Sequence, residues 1–168
     1  MSTQPIKIKD GIIHEDTFGQ DNYPRMLFFL KEAYTSNPDG FDLTEYLREE
    51  KYELPRMWKN AASWACLFTD PTVAKEKKKS KLKEALAHCA VVNIKKENGT
   101  SNSSHADLAG HFEKNKSDLL FQIEDIKPQI IITGGTYRYL VQLFEGITPV
   151  AGGELEDNIG FYQSADKK

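Results

Sequence analysis

Three short segments carry side chains that could do chemistry: Lys31-Glu32-Ala33-Tyr34, Asn93 with Lys95-Lys96, and Gly134-Gly135-Thr136. Glu32 follows the apolar run Met26-Leu27-Phe28-Phe29-Leu30 almost directly. A carboxylate there is costly to desolvate unless it faces a crevice or meets a partner such as Lys31. A Lys31-Glu32 pair closing a strand at the surface fits the same residues. Asn93 ends a second apolar run, Cys89 to Ile94, and its amide offers both a donor and an acceptor, the pattern needed to read a base or amide edge. An asparagine satisfying loop backbone groups is an equally good account of it. Lys95 and Lys96, just beyond, supply positive charge for phosphate. Gly134-Gly135-Thr136 follows a third run, Gln129 to Thr133, and could bring backbone N–H groups close to an anion or could simply make a tight turn. Tyr34 and Phe41, in the stretch after the first run, are the aromatic rings placed to stack on a planar ligand.

Several sharper signatures are missing. There is no glycine-rich phosphate loop with Gly-Lys-Thr, no Gly-x-Gly-x-x-Gly, no Gly-x-Ser-x-Gly and no His-Glu-x-x-His. His14, His88, His105 and His111 lack the spacing of a metal site, so no metal is expected. The two cysteines, Cys66 and Cys89, lie in apolar stretches and read as buried thiols of a reducing compartment; two are too few for an iron-sulfur cluster or a four-cysteine zinc site. No cofactor is implied.

The elements that must hold these groups follow from hydrophobic pattern. Met26 to Leu30, Cys89 to Ile94 and Gln129 to Thr133 are continuous apolar runs of strand length, as in strands covered on both faces. Helical spacing marks Leu43 to Glu50, Pro55 to Phe68, Thr72 to His88, a long helix from Ala106 to Ile126 with a kink expected near Asn115, and Thr136 to Phe144. Ile6 to Ile13 alternates around Asp10-Gly11 and predicts a small hairpin or edge ribbon. A short strand is expected near Ile159 to Tyr162. The lysine-rich stretch Lys75 to Lys83 reads as a solvated face and secondarily as a phosphate-backbone patch. Strand, long helix, strand is a βαβ unit, so the second and third runs should be parallel and the chain an α/β protein with a central, mainly parallel sheet between helical layers. In such a sheet ligands lie beyond the carboxyl ends of the strands, which is where all the candidates fall.

The order Phe29-Leu30-Lys31-Glu32-Ala33, then Ala90-Val91-Val92-Asn93-Ile94-Lys95-Lys96, then Ile126-Lys127-Pro128-Gln129-Ile130-Ile131-Ile132-Thr133-Gly134-Gly135 resembles the uracil-DNA glycosylase superfamily over roughly residues 25–145. In that superfamily a Gly-Glu-Ala-Pro-Gly type motif ends the first strand, Thr-Asn-x-x-Lys the second, and a Lys-Pro turn leads into the third. Here Lys31 replaces the glycine and Tyr34 the proline. The resemblance implies a DNA glycosylase hydrolysing an N-glycosidic bond, with Glu32 activating water toward the developing sugar cation and Asn93 reading the base. It also implies a carboxyl-terminal His-Pro-Ser type motif that this sequence lacks, since no histidine follows His111. The alternatives are a module that binds a nucleobase or nucleotide without turnover, and a protein-interaction module on the same scaffold.

A chain of 168 residues suits one domain, residues 1–168, with 1–24 and 146–168 peripheral to the glycosylase-like part. With 22 basic against 25 acidic residues the net charge is −3, so no protein-wide field draws in DNA and any contact with a polyanion must be local. No apolar stretch reaches the roughly 18 residues of a membrane span. Residues 1–10 do not read as a signal peptide, which predicts a cytoplasmic location.

Overall fold

In a computed structural model, the structure describes residues 7–20, 23–35, 37, 39–49, 51–69, 79–99, 104–144, 148–155 and 159–163. The chain divides into two compact units, Met1–Thr136 and Tyr137–Lys168.

The first unit is built on the three apolar runs. Strands β3 (Met26–Leu30), β5 (Cys89–Asn93) and β6 (Ile130–Thr133) lie in one sheet with β2 (Gly11–Ile12), in the order β2-β5-β3-β6. β3 pairs in parallel with β5, Leu30 opposite Asn93, and with β6, Phe29 opposite Thr133; β2 is antiparallel to β5. The chain is therefore mixed α/β with a mostly parallel sheet. β5 and β6, joined by the long helix, are parallel as expected, but β3 lies between them. The continuous apolarity of β3 and β5 is explained by this central placement, which leaves Met26 to Phe29 and Cys89 to Val92 without solvent contact. β6, at the edge, stays half-buried throughout.

Side chains alternate across a strand, so the two faces recruit different helices. Met26, Phe28, Cys89 and Val91 pack with α1 (Leu43–Arg48), α2 (Arg56–Thr69) and α3 (Lys79–Ala87) into one apolar cluster, with Trp58 edge-on to Phe28 at 6.2 Å. α4 (His105–Ile126) crosses the other face, burying Leu108, Phe112, Leu119, Ile123 and Ile126. Its amino end is capped by Ser104, which accepts from the Asp107 N–H, and its carboxyl end by Lys127 in the left-handed region at φ 50°. α4 runs unbroken through Asn115, where a kink was expected. Instead, the Asn115 amide leaves the helix surface to donate to the Ile94 carbonyl at 2.9 Å.

Residues 7–13 do not form the hairpin; the edge alternative holds for β2, which lies at one edge of the main sheet. β1 (Ile8–Lys9) pairs in parallel with a strand the sequence did not announce, β4 (Phe41–Asp42), while β2 joins the main sheet. Gly11 has φ +146° and marks the break between the two ribbons rather than a hairpin turn. Asp42 then caps α1. Burial pushes its carboxyl up, but hydrogen bonds from Lys9, Thr44 and the Glu45 N–H, together with the Lys9 charge, outweigh burial and bring its pKa down to about 2. A depressed carboxyl stabilises the fold above its unfolded pKa and loses that contribution as pH falls through its native value. Asp42→Ala is expected to cost about 1–2 kcal/mol in urea unfolding near neutral pH. The gap to wild type should narrow between about pH 4 and pH 2, and a constant gap would refute the account.

In the second unit, α5 (Tyr137–Leu143) precedes an antiparallel pair, β7 (Thr148–Leu155) and β8 (Ile159–Gln163), whose register shifts between Pro149 and Glu154. β8 matches the expected short strand, and β7 is additional. The first part of the expected helix Thr72 to His88, with residues 75–78 of the lysine-rich stretch, lies outside the described residues. Among the described residues no helix is long and apolar enough to cross a membrane.

Candidate functional site

Because β3 and β5 are parallel and in register, the residues that follow them emerge at the same edge and continue to pair. Ile94 N–H donates to the Leu30 carbonyl, Lys95 N–H to that of Lys31 and Gly99 N–H to that of Ala33. The Asn98 side chain closes the seam, accepting from the Thr35 N–H and donating to the Thr35 carbonyl. Two charged clusters form along this seam, and α4 contributes to both.

The first holds Glu32. Its side chain is 10% exposed, and its Oε2 stands 4.0 Å from Lys95 Nζ, which donates at 2.9 Å to Asp107 on the first turn of α4. One helical turn on, His111 Nε2 lies 3.6 Å from the other Asp107 oxygen. Burial pushes the Glu32 carboxyl above the usual carboxylate range against the pull of Lys95; Asp107 adds to the rise, while His111 and Lys31 oppose it. The Lys95 ammonium holds Asp107 below its usual range. Gly99 lies flat against Glu32, since a Cβ there would come within 2.5 Å of both Cγ and Cδ. A carboxyl destabilised by burial makes the folded chain less stable as pH rises through the interval between its unfolded and native pKa values. Glu32→Gln removes that loss. It is expected to raise the melting temperature near neutral pH, with the gain disappearing below about pH 4. A gain independent of pH would refute a desolvated carboxylate.

The second cluster centres on Asp10, whose side chain is 2% exposed. Its Oδ2 accepts from the Asn93 N–H at 2.8 Å and from Asn93 Nδ2 at 3.1 Å; its Oδ1 accepts from Lys96 Nζ at 2.7 Å and Gln122 Nε2 at 2.9 Å. Lys96 also donates to Gln122 Oε1 at 2.7 Å. A carboxylate only accepts, so Asp10 fixes which way the Asn93 amide points. That leaves Asn93 Oδ1, on a residue 1% exposed, buried and without a hydrogen-bond partner among the described residues.

No protein-family model, curated protein or solved structure matches this chain. The assignment of roles therefore rests on geometry.

Glu32, Asn93 and the Gly134-Gly135 turn all leave the sheet at its carboxyl edge. The glycines serve a close approach. Gly134 donates to the Phe29 carbonyl, and a Cβ there would meet Leu30 Cδ2 at 2.7 Å; Gly135, at φ +71°, lies beneath the Lys31 side chain. Thr136 is fully buried and its hydroxyl donates to the Phe29 carbonyl at 2.5 Å, which locks the turn to β3. Phe41 is half-buried in β4 against the apolar cluster, its ring 5.4 Å from that of Tyr46. Tyr34 is 69% exposed. Lys95 and Lys96, which the sequence suggested for phosphate, donate to Asp107 and Asp10. Cys66 and Cys89 are buried, and burial together with the neighbouring Cys66 pushes the Cys89 thiol far above its usual range.

Asp10, Gly99, Asp107, His111 and Gln122 were not among the site residues expected from sequence. Asp107, His111 and Asn115 recur every fourth residue, with Gln122 seven further on, a polar stripe inside an amphipathic helix. That spacing was a signal that α4 turns a polar edge toward something other than the core. No group of three or more His, Cys, Asp or Glu side chains among the described residues could hold a metal ion.

Proposed function

We propose that this chain binds a nucleobase or nucleotide at the carboxyl edge of its parallel sheet, in the manner the glycosylase resemblance suggests, with hydrolysis of an N-glycosidic bond slow or absent. The observation that carries this reading is Asn93. An acceptor at the end of a central strand, buried, oriented by a carboxylate and without a donor among the described residues, suits the N–H of a base or amide edge. Lys31, lying over Gly135, is the cation at the same edge for a phosphate or for the anionic oxygen of a base.

The raised pKa of Glu32 favours a second reading, a working hydrolase. Water would add to the sugar carbon as its bond to the base nitrogen breaks, giving its proton to Glu32, and the base would leave as an anion. The superfamily assigns that anion to a carboxyl-terminal histidine. In this chain His111, oriented by Asp107 beside Glu32, would take the part.

Binding is tested by titrating isotope-labelled protein with uracil, deoxyuridine monophosphate and uracil-containing single-stranded DNA, beside Asn93→Ala. Saturable shifts that weaken about tenfold or more in the variant are expected. Abasic-site cleavage on the same oligonucleotide should be slow or undetectable. Rapid excision, abolished in Glu32→Gln, would establish the second reading, and neither binding nor excision would remove both.

A further inference from the structure

Asp10 is spent inside the fold. Its side chain is 2% exposed and each of its oxygens accepts from two donors, so the carboxylate has little to offer a ligand directly. What it does is set the Asn93 amide, and an amide has two settings. A half-turn about the last side-chain bond exchanges its oxygen and its N–H, and so exchanges what it presents to anything beyond it.

The distances choose between the two. Asp10 Oδ2 lies 2.8 Å from the Asn93 backbone nitrogen and 3.1 Å from Nδ2, which places the carboxylate on the main-chain side of the amide nitrogen. The amide hydrogen it takes is the one directed back toward the main chain, and the hydrogen beside Oδ1 remains. Oδ1 itself is buried with no donor among the described residues. The half-turned amide would set oxygen against carboxylate, which has no hydrogen to give. The outward edge of Asn93 therefore carries an acceptor and a donor in one fixed order.

Nucleobases come in two kinds that such a pair can tell apart. A lactam edge, as in uracil or hypoxanthine, has a ring N–H beside a carbonyl; an amidine edge, as in cytosine or adenine, has a ring acceptor beside an amino group. A free amide turns to suit either. A locked one cannot.

We infer that Asp10 sets the base specificity of this site, confining it to lactam edges by holding Asn93 in a single orientation. The inference rests on the reading of Asn93 as the group that meets the base, with the ring N–H set against Oδ1. Asp10 acts through Asn93, as a positioning residue.

In Asp10→Asn the shape is kept. Lys96 and Gln122 both donate to one end of the side chain and hold an oxygen there, so the new NH2 falls on the Asn93 side. Asn93 then turns its oxygen inward and exchanges the order of its outward pair. Asp10→Ala leaves the amide free. Deoxyuridine and deoxycytidine monophosphates are titrated in parallel into isotope-labelled wild type and both variants, under conditions where amide spectra show each protein folded. The wild type should favour deoxyuridine monophosphate at least about tenfold. Asp10→Asn should reverse the order, and Asp10→Ala should bring the two nucleotides within about threefold of each other. General damage weakens both nucleotides alike, so the ratio reads the positioning role where affinity alone does not. Equal binding by the wild type, which is measured whether or not the variants fold, would overturn the inference and leave nucleotide binding in place. A preference carried unchanged into either folded variant would do the same. Binding of neither nucleotide by the wild type would remove the reading of Asn93, and this inference with it.

Discussion

Replacing Asp10 by alanine is expected to lower the unfolding free energy by about 3 kcal/mol, because it strips a buried carboxylate from four donors at once. The Lys96 ammonium loses its anion, and Asn93 N–H, Asn93 Nδ2 and Gln122 Nε2 lose their acceptor in a place where water does not freely replace it. Three separate pieces of chain, the β1–β2 connection, the end of β5 and the carboxyl half of α4, converge on this carboxylate, beside the direct Lys96–Gln122 and Asn115–Ile94 bonds. The loss should therefore be shared by the whole unit and read out in urea unfolding. The same substitution frees the Asn93 amide to rotate, so the proposed nucleobase binding should weaken as in Asn93→Ala even under conditions where the variant is fully folded. A loss below about 1 kcal/mol would mean that Lys96, 28% exposed, swings into solvent and the cluster is not a structural knot.

Gly99→Ala is expected to cost about 1–3 kcal/mol for a different reason. Gly99 has no positive φ to relieve; the difficulty is contact, with Glu32 Cγ and Cδ at 2.5 Å and Oε2 at 2.8 Å from the added methyl. Glu32 must move, and movement separates it from Lys95. Should the chain hydrolyse a glycosidic bond, Gly99→Ala would slow it through Glu32 without altering any ionisable group. Glu32→Ala deletes the carbons that clash, so in that background Gly99→Ala should be nearly neutral. A double-mutant cycle in stability separates this contact from any general loss; additive effects would show that Gly99 is constrained by something other than Glu32.

How much of this was legible in the amino-acid order differs from element to element. Met26 to Leu30 and Cys89 to Ile94 could be read as central strands because unbroken apolarity over five or six residues is tolerable only where both faces are covered, and the structure leaves β3 and β5 in that position. The placement of Glu32, Asn93 and Gly134 at one edge followed from the same reading, since parallel strands joined by helices put their carboxyl ends together. Asp10-Gly11 misled for a local reason. The pair is the strongest short-range hairpin signal there is, yet here the chain breaks between two ribbons and the aspartate is drawn inward by Asn93, 83 residues away, and Gln122, 112 residues away. Lys95 and Lys96 were equally ambiguous, adjacent cations that alternate in direction and so meet different carboxylates, Asp107 on one side and Asp10 on the other. Hydrophobic period thus determined which segments are buried and which are helical, because burial pattern is written locally at spacings of two and of three to four residues. Which acceptor each buried donor would find, and so that Asn93 Oδ1 was left without a donor among the described residues, was decided only when β3 took its place between β5 and β6 and α4 crossed the sheet. Those partners are far apart along the chain, and no local spacing encodes them.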